Sequence, residues 1–205
     1  MEVTYGLMIA IGLITYVAWQ RPQLHKALML NPYQVAERKQ FYRLLTSGFV
    51  HNNSMHLFLN LFTLYFFGLA IEDIFQIYFG VMGLILYILL FCTAVIVANL
   101  HTTWKHKNNP HYNSLGASGG VSALVMAFIL FDPLQELCLY AIVCLPGYIL
   151  GAVFIIYSIV MGRRGRDNIN HDAHLYGALY GVLFIIVLKP DIISSFLMSL
   201  GFTPF

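Results

Sequence analysis

The chain has 205 residues, of which 59% are hydrophobic and 10% charged, with a mean hydropathy of +0.73. A soluble domain carries about a quarter charged residues, so this composition excludes an ordinary water-soluble globule and places the chain in lipid. The formal charge of +2 is small and dispersed, which excludes a basic nucleic-acid-binding surface.

Apolar runs of about 17 to 25 residues are long enough to cross a bilayer as helices. Six fit: 3–19, 55–71, 77–100, 115–131, 137–161 and 172–189. The first has no basic segment before it and no small-residue cleavage site after it, so it reads as a retained helix rather than a signal peptide. Polar loops at 20–54, 101–114 and 162–171 precede the even-numbered spans. The connections near IEDIF (71–75) and FDPLQE (131–136) are short and acidic. Within the first loop, YQVAERKQFYRLLTSGF (33–49) mixes aromatic and basic residues, which suits a segment lying on the membrane surface. The tail IISSFLMSLGF (192–202) is apolar but too short to span, and reads as interfacial. Cys92, Cys138 and Cys144 all fall inside apolar runs with no CxxC pair, which supports neither a disulfide framework nor a thiolate metal site. The expected architecture is an all-α membrane protein, with one six-helix integral membrane domain over 1–205 and no soluble accessory domain.

In a six-helix chain the second, fourth and sixth helices enter the membrane from one face, and the polar residues sit in the opening turns of those three. His51, His56 and Asn60 open the second, Ser118 the fourth, and His171, Asp172 and His174 the sixth. They are therefore expected at similar depth on one side of the bilayer. Ionisable groups at that depth are costly enough to count as functional candidates. His56 and Asn60, four apart, share a helix face; the bland reading is interhelical hydrogen-bonding glue. His51 reads as a brace at the helix entrance. Gly119, Ala123 and Ala127 form a small-residue stripe matched by Ala173, Gly177 and Gly181, and such stripes let helices pack backbone to backbone. Ser118 and His174 each adjoin the first member of their stripe, which brings hydroxyl and imidazole within the reach that a nucleophile and its base require. The Ser118 N–H, at a helix start, joins His56 and Asn60 as a donor for an oxyanion.

Three competing readings carry less. GASGG fits G-x-S-x-G, but that elbow needs a strand before the serine, and a polar loop precedes it here. Asp172, two residues from His174, projects to another helix face, so a Ser-His dyad is expected rather than a triad, and lack of an orienting carboxylate predicts a slow enzyme. A metal site or transporter on HNNSMH and HDAH lacks both HExxH and paired broken helices.

Three motifs together resemble the rhomboid intramembrane serine proteases. HNNSMHLFLN is similar to their His-x4-His-x3-Asn motif, GASGG to Gly-x-Ser-Gly, and HDAHLYGALYG to Ala-His-x2-Gly-x3-Gly. The resemblance implies a six-transmembrane-helix rhomboid-like bundle and a serine endopeptidase. Ser118 and His174 would form the dyad, with His56, Asn60 and the Ser118 amide as the oxyanion site. It further implies a structural Arg43 in the first loop, and cleavage of transmembrane protein substrates at small residues near the membrane surface. Substrate would enter beside the fifth helix under a mobile cap formed by MGRRGRDNINH (161–171). No cofactor or metal is implied. Many members carry an aromatic four residues after the nucleophile that stacks on the imidazole; here that position is Ser122. The alternative is a catalytically silent relative that binds and escorts membrane clients.

The resemblance also implies a multi-pass protein of a bacterial cytoplasmic membrane with its active-site mouth outside. Lys and Arg number 5, 2 and 3 in the first, third and fifth loops and none in the second and fourth, which by the positive-inside rule favours the reverse. The expectation taken here is the family orientation, to be overturned by a cytoplasmic reporter signal at Lys107.

Overall fold

The computed structural model describes residues 2–139, 143–165, 167 and 169–202. It is a mostly helical membrane bundle. Helix α1 (Glu2–Gln20) is followed by three short helices of the first loop, α2 (Pro22–Leu28), α3 (Pro32–Arg38) and α4 (Arg43–Thr46), and by a 3-10 turn at Ser47–Phe49. Proline opens α2 and α3, where its missing N–H has no helical partner to lose. Asn31 caps α3 by accepting from the Gln34 N–H. Helix α5 (Ser54–Thr63), a π turn (Leu64–Gly68) and α6 (Leu69–Phe79) form one continuous helix. Then come α7 (Val81–His106), α8 (Ser118–Phe131), a hairpin of β1 (Glu136–Leu139) and β2 (Val143–Pro146), α9 (Gly147–Arg164), α10 (His171–Leu188) and α11 (Ile192–Ser199).

Among the described residues five helices are long and apolar enough to cross a membrane, where six were expected. The fourth, α8, has 14 residues and at 1.5 Å per residue reaches about 21 Å, short of a hydrocarbon core of roughly 30 Å. Residues 107–117 lead into it as non-helical chain, and backbone at membrane depth must find partners inside the protein. Leu30 and Ser114 exchange N–H···O bonds of 2.9 and 3.0 Å, and the Gly116 N–H donates to the Ser47 carbonyl at 2.9 Å. The Ala117 N–H donates to His51 Nε2 at 3.3 Å. The first loop is thus a clamp on the approach to α8. Helix α8 lies in the middle of the bundle, with Ala123, Leu124 and Ala127 fully buried in a core cluster shared with α1, the Ser54–Phe79 helix, α7, α10 and α11.

Three expectations need correction. The second span does not end at 71: IEDIF lies inside the helix Ser54–Phe79, and the connection is at Gly80. Glu72 is fully buried there, its carboxylate accepting the Val3 and Thr4 N–H groups at 3.2 and 2.8 Å. These are first-turn amides of α1, which have no helical acceptor and attract negative charge. The fifth span does not begin at 137. An antiparallel hairpin pairs Glu136 with Pro146 and Cys138 with Cys144, and α9 starts only after Pro146, which opens the way to a helix and cannot donate within one. Residues 140–142 of the expected span, and 166 and 168 of the cap loop, lie outside the described residues. Finally, Cys138 and Cys144 form a disulfide across the hairpin, against the expectation of none, because the turn folds two aliphatic-rich strands back on each other. Cys92 is free.

Candidate active site

Ser118 is the first residue of α8 and His174 lies in the first turn of α10. The seam between these helices brings them together. A Cβ added at Gly177 would stand 2.2 Å from the Gly119 carbonyl oxygen, and one at Gly181 would stand 2.3 Å from that of Ala123. Backbone therefore rests on backbone along the two stripes. At the open end of the seam, Ser118 Oγ lies 2.8 Å from His174 Nε2, a distance at which the hydroxyl can donate to the ring nitrogen. The Ser118 N–H has no hydrogen-bond partner among the described residues, as the first amides of a helix do not.

His51 and His56 flank the approach to Ser118 from the other side, with ring centroids 5.0 Å apart and nearly perpendicular. His51 is fully buried. Its Nε2 accepts from Ala117 while its Nδ1 lies 3.0 Å from Thr15 Oγ1, whose hydroxyl donates to the Phe49 carbonyl. That pattern holds a neutral Nδ1–H tautomer. Burial, and then the charge of neighbouring His56, push the His51 imidazolium down to about 3. His51 thus fixes the residue before Ser118 to α1 and the first loop. His56 lies against Gly116, where an added Cβ would be 2.6 Å from the His56 Cε1 and 2.7 Å from its Nε2. Gly116 also has φ +120°, a conformation that side chains resist. Gly116→Ala is expected to cost about 1–3 kcal/mol from backbone strain and to push the His56 ring away from the chain that leads into α8. Denaturation and turnover measured together check this, with turnover falling further than stability requires. Asn60, one turn on from His56, is buried, and one of its amide hydrogens goes to the His56 carbonyl at 2.9 Å.

The remaining expected residues lie around this centre. Arg43 is buried in the first loop, donating to the Lys26 and Met29 carbonyls at 2.9 and 2.7 Å and to Gln40 Oε1 at 2.7 Å. Asp172 turns away from His174 to pair with Lys105 at 2.7 Å and His101 at 3.6 Å, both on α7. His171 is buried, and its Nε2 lies 3.1 Å from both carboxylate oxygens of Asp167 in the cap loop.

Two contributors escaped the motif reading. Asn170 caps α10 by accepting from the Ala173 N–H, accepts from the Thr102 hydroxyl, and donates to Ser114 Oγ. One side chain thereby ties the starts of α8 and α10 to α7. An Asn just before an apolar periodic run is a helix-start signal, so this one was available. Phe154 of α9 stacks on His174, with centroids 6.2 Å apart and planes at 24°.

The site lies inside a helical membrane bundle, and sequence comparison supplies the family to which that bundle belongs. A family model, the rhomboid domain, matches residues 38–191. The chain belongs to the rhomboid family. It is similar to the RHOMBOID-like protein 12, mitochondrial, of Arabidopsis thaliana, being 27% identical over 189 residues, which are 86% of this chain and 55% of that protein. The presenilin-associated rhomboid-like proteins, mitochondrial, of Rattus norvegicus and Homo sapiens are 26% and 25% identical over 188 residues, 87% of this chain and 46% of theirs. The chain spans about half the length of the curated relatives it matches. Their names place those relatives in mitochondria, so the expectation of a bacterial cytoplasmic membrane draws no support from them; what stands is an integral, multi-pass membrane protein.

Proposed function

We propose that this chain is an intramembrane serine endopeptidase that cuts transmembrane protein substrates near the membrane surface. The observation that carries the reading is the 2.8 Å approach of Ser118 Oγ to His174 Nε2 at the amino end of α8. Ser118 Oγ attacks the scissile carbonyl carbon as His174 takes its proton. The tetrahedral oxyanion is met by the Ser118 N–H, with His56 and the second amide hydrogen of Asn60 on the same side. Collapse expels the amine, which receives the proton from His174. Water then attacks the acyl-enzyme by the same route, with His174 again as base.

The test is cleavage of a fluorescent transmembrane substrate by the purified protein in liposomes, beside Ser118→Ala. Product from the wild type alone supports the reading. Product that survives Ser118→Ala, or no product while substrate still binds, overturns it, and the latter outcome favours a silent escort of membrane clients.

The disulfide bears on which way the site faces. Disulfides persist in oxidising compartments, and the Cys138–Cys144 hairpin lies in the connection between α8 and α9, on the face opposite Ser118. The positive charge is on the Ser118 side, in the first, third and fifth loops. Both observations favour a mouth on the charge-retaining face, the reverse of the family orientation taken from the resemblance. Reporter fusions at Lys107 and Asp132 are expected to read inside and outside respectively; an outside signal at Lys107 restores the family orientation.

A further inference from the structure

His174 has a base to be and nothing polar to hold it. Its Nε2 faces Ser118, and among the described residues its Nδ1 makes no hydrogen bond. The carboxylate nearest in sequence, Asp172, is engaged by Lys105 and His101 on α7. A base aligned on one side only can swing about its side-chain torsions, and a misplacement of about 1 Å can cost roughly a hundredfold in rate. The alignment must come from packing.

Two rings supply it. The Phe154 ring lies nearly parallel to the imidazole, at 6.2 Å and 24°, within the range of favourable offset stacking. The His171 ring approaches edge-on at 5.9 Å and 82°. The pattern repeats one step along, where Tyr157 meets His171 edge-on at 5.5 Å. Residues three apart share a helix face, so Phe154 and Tyr157 on α9 address His171 and His174 on α10 as a matched pair of rows. On that face of α9 the other inward residues are small: Gly147, Gly151 and Ser158 are its buried positions. Phe154 is thus the large side chain through which this face of α9 reaches the imidazole. Position 122, one turn beyond Ser118 on α8, is a buried serine and offers no ring.

We infer that Phe154 is the positioning residue for His174, holding the imidazole plane in line with Ser118 Oγ from a different helix than the one that carries either reacting group. This rests on the Ser118–His174 reading above. Helix α9 is the least buried of the five long helices, so the alignment of the base depends on a helix with few other ties to the bundle. A displacement of α9 relaxes the base without touching Ser118.

The experiment uses a fluorophosphonate probe, which reports on the serine without requiring a transmembrane substrate to bind. Oγ bonds to phosphorus, fluoride leaves, and the hydroxyl proton passes to His174. Labelling rates are measured for wild type, Ser118→Ala, Phe154→Leu and Phe154→Tyr, all in liposomes. Phe154→Leu keeps an apolar side chain of similar size and removes the ring. It is expected to label about tenfold more slowly, with kcat for a transmembrane substrate falling in step and KM unchanged. Phe154→Tyr, which restores a ring, is expected to return to within about twofold of wild type. Thermal unfolding of each variant separates lost alignment from lost fold: Leu and Tyr variants that melt alike yet label differently support the inference. Phe154→Leu labelling as fast as wild type overturns it, as does Phe154→Tyr labelling as slowly as Phe154→Leu. A wild type that labels no faster than Ser118→Ala removes the protease reading itself, and this inference with it.

Discussion

Alanine at either Ser118 or His174 is expected to lower kcat for a transmembrane substrate by about 10⁴-fold or more, and the double variant to lose no more than either single one. On the proposed mechanism the two groups act as a unit, so removing one strands the other, and effects within such a unit are far from additive. Ser118→Ala removes the proposed nucleophile. His174→Ala leaves an ordinary hydroxyl, whose attack has no base to take its proton. What survives in both is the proposed oxyanion site of the Ser118 amide, His56 and Asn60, and on that reading a residual rate above water is expected. KM is expected to change little, because neither side chain supplies the surface along which a transmembrane helix docks. Single-turnover cleavage in liposomes measures this. Losses that multiply in the double variant would show that the two residues act independently, contrary to the 2.8 Å contact.

The second large effect is expected at the α8–α10 seam. Gly177→Ala and Gly181→Ala each place a methyl group 2.2 and 2.3 Å from a backbone carbonyl oxygen of the facing helix. A flexible side chain could give way, but a helix backbone has no rotamer to change, so the helices must part. Overpacking of this kind costs typically about 1–3 kcal/mol. The larger consequence is for rate. Gly119 adjoins Ser118, and Gly177 is three residues beyond His174, so parting the seam by even a fraction of an ångström lengthens the serine–imidazole contact. Gly177→Ala is expected to reduce turnover about a hundredfold, out of proportion to the fall in melting temperature. Gly6→Ala and Gly12→Ala are the controls. No atom lies within 4 Å of a Cβ at either position, and alanine is the better helix former by roughly 1 kcal/mol, so both are expected to be neutral or stabilising. Thermal melts and turnover across the four variants decide it.

The polar residues were legible because lipid makes them conspicuous. His56, Asn60, Ser118 and His174 stand out within apolar runs, and the odd-even parity of a spanning chain puts their helix starts on one face before any coordinate is known. The glycine stripes were legible for the same reason, since small residues at spacing four have few other purposes in a bundle. The boundaries were less so. Glu72 and Asp73 look like a loop because two adjacent carboxylates in lipid are costly. Only the tertiary contact with the α1 amides shows why one of them is buried. The hairpin at 136–146 was hidden in an apolar run, and composition does not separate a buried strand from a helical segment over so few residues. With the hairpin unseen, the Cys138–Cys144 pair had no geometry to suggest it. Phe154 is one of 16 phenylalanines, and nothing in its neighbours on the chain distinguishes a ring that meets an imidazole from one that meets lipid.

If the proposed peptidase activity holds, the brevity of α8 sets a demand on its substrates. If its far end is level with the opposite surface, its 14 residues leave Ser118 about 9 Å below the near one. A substrate that stayed helical would keep every carbonyl at that depth bonded to its own amide, turned along the helix axis and shielded by side chains. To reach the serine it must surrender about six residues of helix, at 1.5 Å each, and hand the released amides and carbonyls to polar groups of the protein instead of to lipid, which would not accept them. On that reading, discrimination would belong largely to the substrate's own backbone. Membrane segments whose ends hold helix weakly, through glycine or proline, are the ones that can pay out enough chain, whereas leucine-rich segments of equal length stay whole in the same bilayer.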